Sequence, residues 1–327
     1  TSGSTGKPKG VQLSHRSLVN FLCSMQKQPG IKASDSLLAL TTICFDIAAL
    51  EIFLPLLFGA RVVIRNRETS MLPDRIVATL EDQKVTIMQA TPVTWRMLIE
   101  HGWQGEPKIK ILCGGEAMGL DLAENLLATG CEVWNLYGPT ETTIWSSVKQ
   151  VCEKEDALYV GLPIANTDFY IFSEQQTLQP IGVPGELMIG GDGLARGYFN
   201  RPELTAEKFI VSPLDSRKRL YRTGDLAQRK ADGSIEFLGR IDNQVKIRGF
   251  RIELGEIETR LSAHAAIGQC VTIAREDEPG NKKLVAYYIA AEGEAVEPDA
   301  LRAYLKESLP DYMIPAHFVC LPSFPQT

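Results

Sequence analysis

The stretch IKILCGGEAMGLDLAENLLATGCEVWNLYGPTETTIW, from Ile109 to Trp145, passes from strand to helix and back to strand. Residues 109–113 form a short apolar run, 120–129 carry a helical pattern, and 132–136 form a second apolar run that ends in a polar, Gly/Pro-containing loop. The same alternation extends upstream. Ser14 stands as the N-cap of a helix with Leu18, Phe21, Leu22 and Met25 on one face, stopped by Pro29-Gly30. A second helix passes through Leu50, Phe53, Leu54 and Leu57, ends at Gly59, and leads into the strand RVVIR from Arg61. A helix over 73–83 precedes a strand over 85–89, and a helix over 93–100 leads into the strand at 109. Such alternation predicts a largely parallel sheet covered by helices, with ligands bound beyond the carboxyl ends of its strands. The polar motifs fall at those ends.

The texture changes downstream. From 148 to about 240, short β-rich runs (YVGLPIA, FYIFS, GELMIGG, LYRTGDLA, SIEFLGR) alternate with turn residues such as Ala231-Asp232-Gly233, predicting a small antiparallel barrel or folded sheet. After Asp242 come a strand QVKIRGFRI, a helix with Ile257 and Leu261 inward, a hairpin CVTIA…KLVAYYIA, a helix over 298–309 and a strand near Phe318. This is a compact α+β unit of its own. The expected organisation is a large unit over 1–241, divided into α/β (1–147) and β-rich (148–241) parts, and a small unit over 242–327.

Bulk properties exclude several classes. The 327 residues are 44% hydrophobic and 23% charged, with a formal net charge of −6. That acidity, without any Lys/Arg run, argues against a nucleic-acid partner. The longest apolar runs, such as 52–58, are too short to span a bilayer, so no membrane partner is expected. Seven cysteines without a CxxC pair fit reduced thiols in the cytoplasm, and His15, His101, His264 and His317 form no metal-ligating spacing.

Four segments carry chemistry. TSGSTGKPKG (1–10) is rich in hydroxyls, Gly and Lys; its backbone N–H groups form a nest for phosphate oxygens, although such a decamer alone reads equally as a polar linker. It is no Walker A loop, because Gly3 and Gly6-Lys7 are too close and Pro8 stands where Ser or Thr belongs. NLYGPTETTIW (135–145) offers the flat face of Tyr137, the Thr140 hydroxyl and Glu141 as a hard oxygen ligand. LYRTGDLA places Asp225 after a Gly turn, where a carboxylate accepts from ribose hydroxyls or simply closes a turn. GRIDNQVKIRGFRIELGEIE (239–258) gathers Arg240, Lys246, Arg248 and Arg251 around Gly249, and alone reads as a solvated charged strand.

In this order, and with GELMIGGDGLARGY (185–198) and LPDYMIP (309–315), the four segments resemble the adenylation domains of nonribosomal peptide synthetases, within the adenylate-forming superfamily. The resemblance covers the whole chain. It implies a large adenylate-forming domain followed by a small mobile C-terminal domain, joined by a hinge at Asp242. It implies that Thr1, Ser2, Gly3, Ser4, Thr5 and Gly6 hold the β- and γ-phosphates of ATP with Lys7 and Lys9 nearby. Gly115, Glu116 and Ala117 would border the adenine, Asn135 its amino group, Tyr137 and Phe237 its two faces. Asp225 would bind the ribose and Arg240 the ribose and phosphate, with Glu141 as the Mg²⁺ ligand. Thr140, Glu141, Arg240 and Lys246 would be catalytic. The implied reaction joins an amino-acid carboxylate to the α-phosphorus with loss of pyrophosphate. The acyl group then passes to the phosphopantetheine thiol of a peptidyl carrier domain among neighbouring synthetase modules, through a tunnel lined by Gly249. The family's catalytic lysine lies in a motif beyond Leu321-Pro322, so these 327 residues alone are expected to adenylate poorly.

Within TICFDIAALEIF, Asp46 matches the family's partner for a substrate α-ammonium; its other reading is a charge at the start of the helix over 47–58. The matching side-chain pocket is Ile47, Leu50, Gln89, Leu112, Gly114, Leu136, Ile144 and Trp145. Bulky residues without charge leave room for the smallest substrate, and the set resembles family pockets that activate glycine. The rival readings are an acyl- or aryl-adenylating ligase, against which Asp46 speaks, and a nucleotide-binding but catalytically incomplete fragment.

Overall fold

In a computed structural model the described residues are 9–66, 68, 72–278, 280–291 and 296–325. By contact, the chain divides into Val11–Ile241 and a second unit of Asp242–Thr327 with Lys9 and Gly10 among the described residues.

The larger unit runs β1 (Val11–Gln12), α1 (His15–Met25), β2 (Ser36–Ala39), α2 (Ala48–Leu57), β3 (Arg61–Ile64), α3 (Pro73–Asp82), β4 (Ile87–Ala90), α4 (Pro92–Glu100), β5 (Lys110–Gly114), α5 (Leu120–Ala128) and β6 (Glu132–Tyr137). Strand β2, only four residues flanked by polar turns, is too short to show a pattern in the sequence. The remainder is β-rich: β7 (Ser147–Val151), β8 (Tyr159–Pro163), β9 (Thr167–Phe172), β10 (Gly185–Gly191), β11 (Gly197–Tyr198), α6 (Pro202–Lys208), β12 (Phe209–Val211), β13 (Arg219–Arg229) and β14 (Ile235–Arg240). Strands β3-β2-β4-β5-β6 are parallel neighbours, and the antiparallel strands continue the same hydrogen-bonded path as β7-β8-β14-β13-β10-β9, with β12 beside β13.

The Ser14 side chain caps α1 by accepting from the Ser17 N–H at 3.1 Å, satisfying one orphan donor of the first turn. Phe21, Leu22 and Met25 on that helix pack with Leu50 and Leu54 of α2 on one side of the parallel strands. Helices α3, α4 and α5 bury Ile76, Leu80, Trp95, Leu98, Leu122 and Leu126 in a second core cluster. Helix α2 departs from simple amphipathicity. It buries Leu50, Glu51 and Leu54 but leaves Phe53 49% and Leu57 55% exposed.

The second unit contains β15 (Gln244–Ile247), β16 (Phe250–Glu253), α7 (Leu254–Ser262), β17 (Ile267–Glu276), β18 (Lys282–Ala290), α8 (Pro298–Lys306) and β19 (His317–Cys320). Here QVKIRGFRI corrects the sequence reading: it is a tight hairpin, not one strand. Arg248 and Gly249 both take positive φ (54° and 78°), which reverses the chain in two residues. Strands β17-β18-β19 form one sheet, with β19 parallel to β18, over a core that includes Ile257, Leu261, Leu301 and Leu305.

Candidate active site

Beyond the carboxyl end of β6, the loop over 138–146 carries Thr140, Glu141, Ile144 and Trp145 of the predicted site. At its root, the buried Tyr137 hydroxyl donates to Asp225 Oδ2 at 2.5 Å. Asp225 sits on β13 directly opposite Arg240 on β14, whose guanidinium donates to Asp225 Oδ1 at 2.7 Å and to the Thr223 carbonyl at 2.9 Å. A bulge in the β10–β13 pairing, where Glu186 faces Leu226 but Met188 faces Arg222, re-aims this segment. The Thr223 hydroxyl pins it, donating to the Leu187 carbonyl at 2.6 Å and accepting from the Asp225 N–H at 2.9 Å. A buried carboxylate is costly unless it is paired and hydrogen-bonded, and Asp225 is both. Burial, reinforced by the Asp225 charge, pushes the Tyr137 phenol well above its ordinary value and keeps it a donor.

Phe237 lies against Tyr137 with ring centroids 6.5 Å apart and planes tilted by 43°; the two rings touch rather than stand parallel. Asn135 on β6 donates to the Ala157 and Tyr159 carbonyls at 3.3 and 3.0 Å, so its amide nitrogen is engaged within the fold. Gly115, Glu116 and Ala117 follow the end of β5, with Ala117 exposed.

The centre of the site is a pair of carboxylates. Asp46, just before α2, accepts from the Thr140 hydroxyl at 2.6 Å and from the Ile47 N–H at 2.9 Å. Burial raises its carboxyl above the ordinary carboxylate range; Thr140 and Ile47 oppose that shift, and the charge of Glu141 adds to it. Glu141 is fully buried and accepts from the Tyr198 hydroxyl at 2.7 Å. Burial and the Glu141 charge push the Tyr198 phenol upward, so it too stays protonated. Among the described residues no group of three or more His, Cys, Asp or Glu is arranged to hold a metal ion. Glu141 supplies one hard carboxylate whose Oε1 already accepts from Tyr198; it would hold Mg²⁺ only with phosphate oxygens and water supplying the other ligands.

Beside Asp46 the predicted pocket residues come together. Gln89, Leu112, Gly114 and Leu136 lie on adjacent strands β4, β5 and β6, with Gln89 opposite Leu112 and Gly114 opposite Leu136. Leu50, Leu112, Leu136, Ile144 and Trp145 share one buried cluster, with Ile47 against it. Gly114 is required there: a Cβ would lie 2.8 Å from the Trp145 ring and 2.7 Å from the Leu136 carbonyl oxygen. Thr143 and Ile144 both adopt left-handed φ (67° and 69°), strained for β-branched residues. Thr143 is held by its bond to the Gly193 carbonyl at 2.7 Å, and the loop closes through Ser146 N–H to the Tyr137 carbonyl at 2.7 Å.

Sequence reasoning missed Tyr198, Thr223 and above all Glu51. Glu51 lies four residues after Ile47, on the same helical face as a predicted pocket residue, and is the one charge within the otherwise apolar AALEIFLPLL.

The other predicted residues lie in the second unit or outside the described residues. Thr1, Ser2, Gly3, Ser4, Thr5, Gly6 and Lys7 lie outside the described residues. Lys9 is buried, its ammonium 3.6 Å from Glu253. Lys246 is opposite Arg251 in the β15–β16 hairpin, with Gly249 in its turn. Asp242 accepts from the Gln244 N–H at 3.1 Å.

A helix-covered parallel sheet, extended by antiparallel strands and bearing these motifs at its strand ends, is the arrangement of a known class. The profile of the AMP-binding enzyme family matches residues 1–199, and that of the AMP-binding enzyme C-terminal domain matches residues 256–327. The chain belongs to the AMP-binding enzyme family. It is 47% identical over 329 residues to a dimodular nonribosomal peptide synthase of Bacillus subtilis (strain 168), a match covering 100% of this chain and 14% of that protein. Among solved structures it resembles a holo four-domain nonribosomal peptide synthetase bound to AMP and glycine, with TM-score 0.71 and 44% identity over 100% of this chain and 24% of the other. It also resembles the Vibrio cholerae adenylation domain AlmE in complex with glycyl-adenosine-5'-phosphate, with TM-score 0.90 and 27% identity over 100% of this chain and 63% of the other. No helix among the described residues is long and apolar enough to cross a membrane.

Proposed function

We propose that this chain activates an amino acid at the expense of ATP within a cytoplasmic nonribosomal peptide synthetase, and that the amino acid is glycine. The observation that carries the reading is Asp46, a half-buried carboxylate held by Thr140 and the Ile47 amide at the start of the helix whose Leu50 packs with Leu112, Leu136 and Trp145. An α-ammonium restores to Asp46 the counter-charge that burial denies it, while the packed wall leaves room for little beyond a hydrogen as side chain. The likeness to one structure that holds AMP and glycine and another that holds glycyl-adenosine-5'-phosphate supports the reading.

The reaction is attack by a carboxylate oxygen of the amino acid on the α-phosphorus of ATP. An acyl C–O–P linkage forms, the bond from the α-phosphorus to the bridging oxygen breaks, and pyrophosphate leaves. Both reactants are anions, so the protein's task is to align them and to neutralise charge. In this reading Asp46 grips the ammonium, and Tyr137, Phe237, Asn135 and the segment from Gly115 through Glu116 to Ala117 border the adenine. Asp225 takes the ribose and Arg240 the ribose–phosphate edge. Lys9 and the segment over 1–7 serve the outer phosphates, with Thr140 and Lys246 assisting. Glu141 would hold Mg²⁺, which when bound supplies neutralising charge to the phosphates. The phosphopantetheine thiol of a carrier domain then attacks the acyl carbon, forming a thioester as the acyl C–O bond breaks, AMP leaves and the thiol proton passes to solvent, with Asp242 as hinge and Gly249 lining the thiol's approach.

The test is ATP–pyrophosphate exchange with a panel of amino acids, using the complete protein that carries this chain. Glycine is expected to lead and alanine to follow. Preference for Phe or Leu would end the glycine assignment, and exchange independent of any amino acid would end the activation reading.

A further inference from the structure

Glu51 is a fully buried acid that the reaction above does not use. Its Oε2 accepts from the Thr41 N–H at 2.9 Å; its Oε1 accepts from the Thr41 hydroxyl at 2.5 Å and from the Gln89 side-chain N–H at 3.2 Å. The Gln89 oxygen in turn accepts from the Trp145 indole N–H at 2.8 Å. The chain Thr41–Glu51–Gln89–Trp145 therefore runs from a loop, across α2 and β4, to the pocket wall.

We infer that Glu51 is a positioning residue for substrate size: by fixing the orientation of the Gln89 amide it locks the Trp145 indole across the pocket beside Gly114. This rests on the reading of these residues as the amino-acid pocket. Donor–acceptor complementarity sets the orientation of the Gln89 amide. Both Glu51 oxygens accept here, from Thr41 and from Gln89, an indole N–H only donates, and an amide presents one face of each kind. With Glu51 at one end, Gln89 is satisfied only with its NH₂ toward Glu51 and its oxygen toward Trp145. A flipped amide would set acceptor against acceptor at one end and donor against donor at the other, both buried. The indole is thus held at its nitrogen, while its far edge fills the space above Gly114, where a Cβ would come within 2.8 Å of it. Any substrate larger than glycine must displace that ring and break the chain. The groups facing Glu51, namely Thr41, Gln89 and the Leu40 amide, are neutral, so the carboxyl gains no ion pair from its burial. Its contribution is directional.

The experiment compares kcat/KM for glycine with that for alanine in pyrophosphate exchange by the complete protein. Glu51→Met keeps the volume and removes the acceptor; the glycine-over-alanine ratio is expected to fall about fivefold, the worth of one hydrogen bond. KM for ATP, which is bound at the Tyr137–Asp225 end, is expected to stay within twofold. Gln89→Met cuts the same chain one link later and is expected to give a similar loss. The double variant is expected to lose no more than either single, because the residues act in series. Should Glu51→Met fail to fold, Gln89→Met alone decides: an unchanged ratio in a folded variant overturns the inference. A wild type that prefers a bulky amino acid would overturn the pocket reading and this inference together, whereas a glycine-selective wild type with an unaltered Glu51→Met ratio would overturn this inference alone.

Discussion

The two ends of the site handle their carboxylates in opposite ways. At the Tyr137 end, Asp225 faces Arg240 across a strand pair and takes a phenol on its other oxygen, so its charge is answered within the protein. At the Asp46 end, the donors to Asp46 and Glu51 among the described residues are neutral, the charge of Glu141 bears on Asp46 as well, and burial drives both carboxyls upward. The first end is complete in itself and can be rigid before any ligand arrives. The second is electrostatically unfinished, which is what a site for a cationic head group requires: it holds an acid short of a counter-charge until one is delivered.

The strongest way to break this contrast is Asp46→Asn. Losing the charge is expected to reduce amino-acid-dependent exchange by about a hundredfold or more while leaving ATP binding nearly intact, measured as separate KM values. The Tyr137 end should respond the other way round, in ATP terms.

The next effect concerns stability. Burial lifts the Glu51 carboxyl from an ordinary value of 4.5 to about 7. Between those values the folded protein holds a proton that the unfolded chain has released. Stability therefore falls as pH rises through that window and levels off above about 7. The difference amounts to roughly 3 kcal/mol. Urea unfolding at about pH 5 and about pH 8 is expected to show this loss in the wild type and not in Glu51→Gln. Equal unfolding free energies of the wild type at the two pH values would mean the carboxyl is better solvated than its surroundings imply.

At the compensated end, Tyr137→Phe leaves Asp225 its Arg240 partner and removes only the phenol donor. A cost of about 2 kcal/mol in stability, or its equivalent in KM for ATP, is expected from denaturation and exchange measurements. The smallest effect is expected from Trp145→Ser. Opening the wall should raise exchange with alanine by about tenfold, in line with what one methyl contact is worth, with little change for glycine.

Much of the fold was legible in the residues, and the exceptions have physical causes. Strands β4, β5 and β6 announced themselves as apolar runs between helices because both of their faces are covered, and Ser14 marked its helix through cap chemistry that is local in sequence. QVKIRGFRI misled because Arg248, a residue seldom found at positive φ, shares the turn with Gly249. Phe53 and Leu57 fitted the apolar stripe of α2 yet lie exposed, whereas Glu51 broke the stripe and is buried. The pocket residues could be named from the family resemblance, but the Thr41–Glu51–Gln89–Trp145 chain joins residues 104 positions apart, since it spans 41 to 145, and only folding reveals it.

The crowding at Gly114 also constrains how such a pocket changes its taste. A side chain at 114 meets the Leu136 main-chain carbonyl at 2.7 Å, an obstacle that no substitution at 136 removes, as well as the Trp145 ring. Position 114 is therefore closed to stepwise variation, while 145 is open to it. A lineage, or an engineer, seeking a roomier binding cavity has to begin by shrinking the aromatic at 145, and the glycine stays behind as a fixed point of the floor.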